Sequence, residues 1–319
     1  MKKSLLALAV AAALPAVAQA QSSVTLYGVA DAGFTYGTDK RIKFANSGVN
    51  GIPRLGIRGS EPLGNTGMSA IFQLETGWNA GREGVTYLGN RGGFVGLSTK
   101  LGSVTFGSSV LAPSFWALNE VDPTASANYT LNVYGGPARL DNSINYTGTF
   151  GGLTVRLSHV SDNDALGDLV GSTAVPVAAG PVVGATDVSA IWKLGTLTLV
   201  GAYSQIGFLG QSGYTVGGSF DMKIAKLFAS YVDSDVNVVT LSSLAQGKAM
   251  RVGVNIPVGA LLATAEYRRV DPNAAGAANV NTVLLAGQYS LSNRTTVNVY
   301  GSKPSNNKLT AGVGIRHNF

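Results

Sequence analysis

The chain contains no cysteine, and charged residues make up only 13% of its 319 positions, well under the roughly one quarter that is usual in soluble proteins. The mean hydropathy is +0.20, yet beyond residue 20 no uninterrupted apolar run is long enough for a transmembrane helix. The lack of cysteine is compatible with export through an oxidising compartment. Low charge without an apolar helix is unusual for a soluble enzyme and suits a membrane β-barrel, whose strands alternate lipid-facing and lumen-facing residues.

Residues 1–20 contain the three parts of a secretory signal peptide in the expected order. Lys2 and Lys3 form a positive start, residues 5–14 are an apolar core, and an A-x-A cleavage motif stands directly before Gln21. We therefore expect the chain to be exported across the inner membrane and to begin at Gln21 after cleavage. The mature chain then has 21 basic and 17 acidic residues, which is a net charge of +4.

Residues for catalysis or metal binding are scarce. The two histidines, His159 and His317, have no metal-binding spacing, and no serine lies in a nucleophile-elbow context. Asp162, Asp164 and Asp168 do not have EF-hand spacing and are interpreted as residues of a solvated loop. Glycine clusters do not precede helices, so phosphate-binding loops are not indicated, and the small net charge forms no nucleic-acid patch. The sequence predicts no enzyme, no cofactor, no metal site and no nucleic-acid partner.

Beyond Gln21, polar and apolar residues alternate with a period of two. Arg54 and Arg58 lie on one face of a predicted strand, and Leu55 and Ile57 lie on the other. The pattern recurs in about 16 runs, which are joined alternately by short turns and long loops, as in outer-membrane barrels. A soluble β-sandwich would also alternate, but it does not explain one apolar face in nearly every strand with so few charges. We therefore predict an all-β fold, a 16-stranded antiparallel transmembrane barrel formed by a single domain over residues 21–319.

One long irregular segment, residues 108–139, interrupts the series of strands. It contains Phe115, Trp116, Tyr129 and Tyr134, which is too much apolar surface for a solvated linker. A loop of this length in a compact β domain is either functional or disordered. We predict that this segment packs inside the barrel and narrows it.

Several stretches resemble the trimeric general porins of Gram-negative outer membranes, and the similarity is closest to the branch typical of β-proteobacteria. These stretches run in order along the mature chain, at residues 24–33, 53–64, 70–75, 90–98, 101–107 and 314–319. The resemblance implies short periplasmic turns, long extracellular loops, a third loop folded into the lumen as a constriction, and a homotrimer. It also implies that Phe319 belongs to the signal that the outer-membrane assembly machinery reads.

In the resembled family, basic residues on the barrel wall face acidic residues on the inward loop. The matching basic positions are Arg54, Arg58, Arg91 and Arg139. The matching acidic positions are Glu120 and Asp122. Arginine stays charged on a low-dielectric wall because its pKa is very high, and rings of charge act as a filter in a narrow pore. We therefore expect a modest preference for anions, although Ser108 and Ser109 stand where family members usually carry a further arginine.

The expected function is passive diffusion of small hydrophilic solutes and ions through a water-filled channel in the bacterial outer membrane. The expected partners are two further copies of the chain, outer-membrane lipid and lipopolysaccharide, and the assembly machinery. Two alternatives remain at this point. One is a substrate-selective porin, which would need an aromatic slide or a dense arginine stack in the lumen. The other is a plugged structural or adhesin barrel that uses long loops such as residues 162–186.

Overall fold

The computed structural model describes most of the chain after the predicted leader. The described residues are 22–37, 39–45, 48–78, 90–108, 110–124, 138–160, 184–207, 210–235, 247–273, 276, 278–307 and 309–319. The predicted signal peptide, the acidic loop residues Asp162, Asp164 and Asp168, and the aromatic residues Tyr129 and Tyr134 lie outside these ranges.

Within the described residues there are nineteen strands and one helix. They are β1 (Ser23–Tyr36), β2 (Ile42–Phe44), β3 (Arg54–Pro62), β4 (Ser69–Gly77), β5 (Gly92–Thr99), β6 (Gly102–Ser108), β7 (Val110–Leu111), α1 (Pro113–Glu120), β8 (Arg139–Leu140), β9 (Ser143–Phe150), β10 (Leu153–Val160), β11 (Ala185–Leu194), β12 (Leu197–Ile206), β13 (Gln211–Asp221), β14 (Lys226–Ser234), β15 (Gly247–Val258), β16 (Leu261–Pro272), β17 (Val280–Ser290), β18 (Thr295–Pro304) and β19 (Thr310–Asn318).

Sixteen of these strands form a closed antiparallel barrel, as predicted, in which each strand pairs with its neighbours along the chain. The short strand β2 is added alongside the end of β1, while β7 and β8 form a separate two-stranded ribbon. The barrel closes because β1 pairs with β3 through its first half and with β19 through its second half. No helix in the described part of the chain is long and apolar enough to cross a membrane.

The last residue continues the closing seam between β1 and β19. Phe319 exchanges two backbone hydrogen bonds with Gly28, with N···O distances of 3.0 and 3.1 Å. A Cβ atom at position 28 would lie 2.3 Å from Cζ of the Phe319 ring. The ring can therefore cover the backbone of β1 only because residue 28 is glycine.

The two ends of the barrel differ in the length of their connections. At one end the turns are short, and β11 and β12 are joined by Gly195 and Thr196 alone, with Gly195 at a φ of 60° that favours glycine. At the other end the links are long, and they include residues 109–142 and 161–184. This asymmetry is the one expected of short periplasmic turns and long extracellular loops.

Alternation along each strand separates an apolar outer face from a polar inner face. On β10, Leu157 points outward with 40% of its surface exposed, and the next residue, Ser158, points inward and is 3% exposed. The Ser158 hydroxyl donates a 2.6 Å hydrogen bond to Oδ1 of Asn145 on the neighbouring strand β9. Exposed apolar side chains of this kind, which would be costly in water, cover the outer faces of the strands. The predicted fold class is therefore confirmed.

Candidate functional site: the channel interior

The segment that follows β6 lies against the inner wall of the barrel. Its helix, α1, contacts β10, β11, β12 and β13. Ala117 packs with Val121 against Ile191 and Val200, and Ile191 is on the inner face because its neighbour Trp192 is exposed on the outer one. The burial of this apolar surface keeps the helix on the wall.

A carboxylate of the barrel wall holds the first turn of α1. The N-cap residue Ala112 has no side chain that can accept a hydrogen bond, and Pro113 occupies the first helical position. Asp187 on β11 fills this role, because its Oδ1 accepts the backbone N–H of Ser114 and its Oδ2 accepts the Ser114 hydroxyl, both at 2.6 Å. The helix start is thus fixed to the inner wall by two charge-assisted hydrogen bonds.

The residues after α1 reach the inner wall further around the barrel, at β15 and β16. We call the group formed there the loop latch, and its members are Asp122, Arg251, Glu266 and Arg268. The buried Arg268 belongs to it because its charge acts on Glu266. Nη1 of Arg251 lies 2.8 Å from Oδ2 of Asp122, and Nε of Arg251 lies 3.6 Å from Oε1 of Glu266. Nδ2 of Asn255 also donates a 2.9 Å hydrogen bond to the carbonyl of Pro123. The segment is therefore attached to the inner wall at two places, β11 and β15.

A second group of arginines lies across the barrel, on and beside β3, β5 and β8. We call it the basic wall, and its members are Arg54, Arg58, Arg91 and Arg139. Glu75 on β4 joins two of them, because its carboxylate lies 3.7 Å from Nε of Arg54 and 3.0 Å from Nε of Arg91. The hydroxyl of Tyr27 donates a 3.0 Å hydrogen bond to the same carboxylate. The Glu75 carboxylate thus contacts Arg54, Arg91 and Tyr27 at the centre of the basic wall.

The two remaining arginines of the basic wall extend it along the strands. The Arg58 guanidinium lies over the ring of Tyr27, 5.2 Å from its centroid, and Arg139 donates a hydrogen bond to the backbone carbonyl of Arg91. Asp141, close to Arg139 in sequence, accepts a 2.8 Å hydrogen bond from the hydroxyl of Ser108. Among the described residues, the four arginines of the basic wall therefore stand against two carboxylates, Glu75 and Asp141, and this group has an excess of positive charge.

The two acidic residues expected opposite the basic wall have other ion-pair partners. Oε2 of Glu120, at the end of α1, lies 2.9 Å from Nζ of Lys193 on β11, and Asp122 belongs to the loop latch. The carboxylate that pairs with the basic wall is Glu75. The position of Glu75 on the inner face follows from the alternation of β4, whereas the family resemblance implied carboxylates on the loop.

The histidines and acidic residues form no group that could hold a metal ion in the described ranges. No three His, Cys, Asp or Glu side chains there are grouped so that they would hold a metal ion. Nδ1 of His159 lies 2.9 Å from Oγ1 of Thr186, and Nδ1 of His317 lies 2.9 Å from Oγ1 of Thr295. Each histidine is therefore engaged with a threonine of the adjacent strand.

The sequence is similar to outer-membrane porins over its whole length. A family model described as Gram-negative porin matches residues 7–308. An outer membrane porin protein of Bordetella pertussis is 30% identical over an alignment of 389 positions that covers 100% of both chains. Outer membrane porin protein 32 of Delftia acidovorans is 35% identical over 182 residues, which is 51% of this chain and 50% of that protein.

Structure comparisons find the same barrel architecture. An anion-selective porin from Comamonas acidovorans superposes with a TM-score of 0.73 at 21% identity, covering 94% of this chain and 100% of the other. A variant of the Rh. blastica porin gives a TM-score of 0.68 at 17% identity with the same coverage. At these identities the superpositions describe the fold.

Proposed function

The chain belongs to the Gram-negative porin family and is an outer-membrane channel protein, and we propose that its channel passes small anions more readily than small cations. The support lies in the basic wall, where four arginines stand against Glu75 and Asp141. An anion that passes this wall is attracted by the excess charge, whereas a cation is repelled. The Comamonas acidovorans protein with the same fold is named as anion-selective.

The proposed constriction is the gap between the basic wall and the segment formed by residues 108–139. Residues 110–124 of this segment lie inside the barrel, where Ser114 contacts Asp187 and Asp122 belongs to the loop latch. Charged groups that face a narrow aqueous gap act on every ion that passes. We therefore assign Arg54, Arg58, Arg91 and Arg139 to the proposed filter, and we assign Glu120 and Asp122 to holding the loop that forms its other side.

The test is planar-bilayer recording of the refolded mature chain in a gradient of potassium chloride. We expect stepwise conductance and a reversal potential that favours chloride. A variant with Arg54, Arg58 and Arg91 replaced by alanine should lose most of this preference. The matched control is Arg269→Ala, which removes an arginine from the exposed outer face of β16 and should leave the reversal potential unchanged.

Two results would contradict the proposal. A wild-type reversal potential that favours potassium would show that the basic wall does not set the selectivity. A correctly folded, heat-modifiable barrel without conductance would show that the inward segment seals the lumen, as in a structural or adhesin barrel.

Further parts of the proposal concern export and assembly. We propose that residues 1–20 are removed as a signal peptide, that Phe319 is part of the signal read by the assembly machinery, and that the channel is a homotrimer in contact with lipopolysaccharide. The protein is proposed to act as a channel and not as an enzyme. Conductance that rises in groups of three equal steps would support the trimer, and single isolated steps would contradict it.

A further inference from the structure

A third group of charged side chains lies on the inner wall, away from the basic wall and the loop latch. Arg156 on β10 and Lys193 on β11 are two inward-facing cations near the short-turn end of the barrel. Trp116 and Glu120 of α1 lie four residues apart, on one side of the helix, and each contacts one of these cations. We call these four residues the tryptophan shelf.

The contacts of Arg156 with the described residues leave one of its donors, Nε, without an acceptor. Its guanidinium lies over the Trp116 ring, 4.3 Å from the centroid. A stacked guanidinium uses its flat face for the ring, so its N–H groups point sideways. Its buried Nε has no hydrogen-bond acceptor among the described residues, and Glu120 interacts with Arg156 through its charge.

Lys193 adds a second cation with unused donors. Its ammonium is paired with Glu120 at 2.9 Å, yet the side chain remains 59% exposed. An ammonium group has three N–H donors, so the ion pair leaves room for a further acceptor. Two cations against one carboxylate give the tryptophan shelf an excess of one positive charge, which attracts an anion.

We infer that the tryptophan shelf is a binding site for small aromatic carboxylates that pass through the channel. The carboxylate accepts hydrogen bonds from Arg156 and Lys193, in the planar geometry that a guanidinium favours. The aromatic ring packs beside the indole of Trp116, where apolar contact and ring–ring interaction add to the binding. The inference rests on the proposed channel function, because it requires solutes to reach the lumen.

Contacts between α1 and the barrel wall hold the tryptophan shelf in place before any solute binds. Ser114 at the start of α1 is bound by Asp187, and Ala117 is fully buried against Ile191 and Val200. Trp116 thus projects from a helix that is fixed on the wall. A site whose aromatic and cationic groups are held before the ligand arrives loses little entropy on binding.

The test is the block of chloride current by benzoate in planar bilayers, with acetate as the comparison anion. We expect benzoate to reduce the current at a concentration at least about tenfold lower than acetate does, since only benzoate contacts the indole. Arg156→Gln should raise the half-blocking concentration of benzoate about tenfold, because charge-assisted hydrogen bonds are lost. Trp116→Leu should weaken the block by benzoate and leave the block by acetate unchanged.

Lys226→Gln is the matched control variant. Lys226 is an inward-facing cation that lies over the ring of Phe228, 5.1 Å from its centroid, on strand β14. Loss of this cation–π pair should leave the half-blocking concentration of benzoate unchanged. Heat-modifiability of each variant on gels establishes that the barrel is folded, and Arg156→Lys, which keeps the charge without the planar fork, provides a second variant at the same position.

The outcomes separate the inference from the proposed function. No conductance in the wild-type protein would overturn the proposed function. Normal conductance with equal block by benzoate and acetate, or with block that Arg156→Gln and Trp116→Leu leave unchanged, would overturn the inference alone. An equal loss of block in Lys226→Gln would show a general effect of lumen charge and would also overturn it.

Discussion

The basic wall and the loop latch are two groups of arginines and carboxylates on the inner surface of one barrel, and they differ in exposure and in charge balance. In the latch, the side chains of Arg251 and Asp122 are 4% and 0% exposed, and two arginines stand against two carboxylates. In the basic wall, the side chains of Arg54, Arg91 and Glu75 are 29%, 15% and 11% exposed, more than in the latch, and arginines are in excess. The comparison shows that residue type alone does not decide what a charged cluster does.

The physical reason lies in how solvent changes the energy of an ion pair. A buried pair has lost its hydration, so removing one partner leaves an uncompensated charge in a low-dielectric site. A pair in contact with water is screened and contributes little to stability. The excess charge of the solvated cluster, however, acts on ions that pass through the same water. We therefore expect the loop latch to stabilise the inward segment, and we expect the basic wall to act on solutes.

The largest effect is expected where the loop latch is broken. Arg251→Leu leaves Asp122 and Glu266 buried without their main cation, at a cost of about 3–5 kcal/mol. We expect unfolding of the barrel in detergent at a lower urea concentration, together with a noisier open-channel current as the loop loses its attachment. Unchanged unfolding and a steady current would show that the latch does not hold the loop.

A double variant sharpens this result. When Asp122→Leu is combined with Arg251→Leu, no unpaired Asp122 carboxylate remains, and the double variant should be more stable than the sum of the single effects predicts. The difference is the coupling energy of the pair. Strict additivity would mean that the 2.8 Å contact carries no coupling.

A smaller effect is expected at the other attachment of the loop. Asp187→Asn removes the charge that strengthens the hydrogen bonds to Ser114, and hydrogen bonds to charged groups contribute about 1.5–3 kcal/mol. Urea unfolding should shift by less than it does in Arg251→Leu. Ser114→Ala, which removes only the hydroxyl partner, should give part of the Asp187→Asn effect, and a larger shift in Ser114→Ala would contradict this assignment.

Most of the fold was predictable from the sequence because lipid and water impose a strict alternation on each strand. The opposite exposures of Leu157 and Ser158 follow from that period of two. The inward position of the segment around α1 was predictable from its aromatic residues, and Phe115 does pack against a buried apolar cluster on the wall.

The partners of the charged residues were not predictable in the same way. The alternation of polar and apolar residues predicts which face of a strand a residue is on. It does not predict which strand the inward loop contacts. Asp122 and Arg251 are far apart in sequence, and their contact depends on where the loop crosses the lumen. Glu75 was within reach of prediction, because Arg54 pairs in register with Gly77, two residues from Glu75 on the same face of β4.

The smallest expected change in free energy is that of a substitution in the basic wall. This substitution tests most directly the claim that the basic wall sets the ion preference of the channel. Glu75→Gln removes the carboxylate that offsets Arg54 and Arg91. A unit charge about 6 Å from an ion changes its energy by roughly 0.7 kcal/mol at the dielectric constant of water. The change has opposite signs for chloride and potassium, so their permeability ratio should rise roughly three- to tenfold at low salt and less at high salt.

The decisive measurement is the reversal potential of Glu75→Gln in a potassium chloride gradient, beside Glu61→Gln as control. Glu61 is an exposed carboxylate on the outward face of the same strand as Arg54, so its loss should not alter selectivity. We expect a clear shift toward chloride for Glu75→Gln and none for Glu61→Gln. An unchanged potential, or a shift toward potassium, in Glu75→Gln would contradict the claim that the basic wall sets the ion preference of this channel.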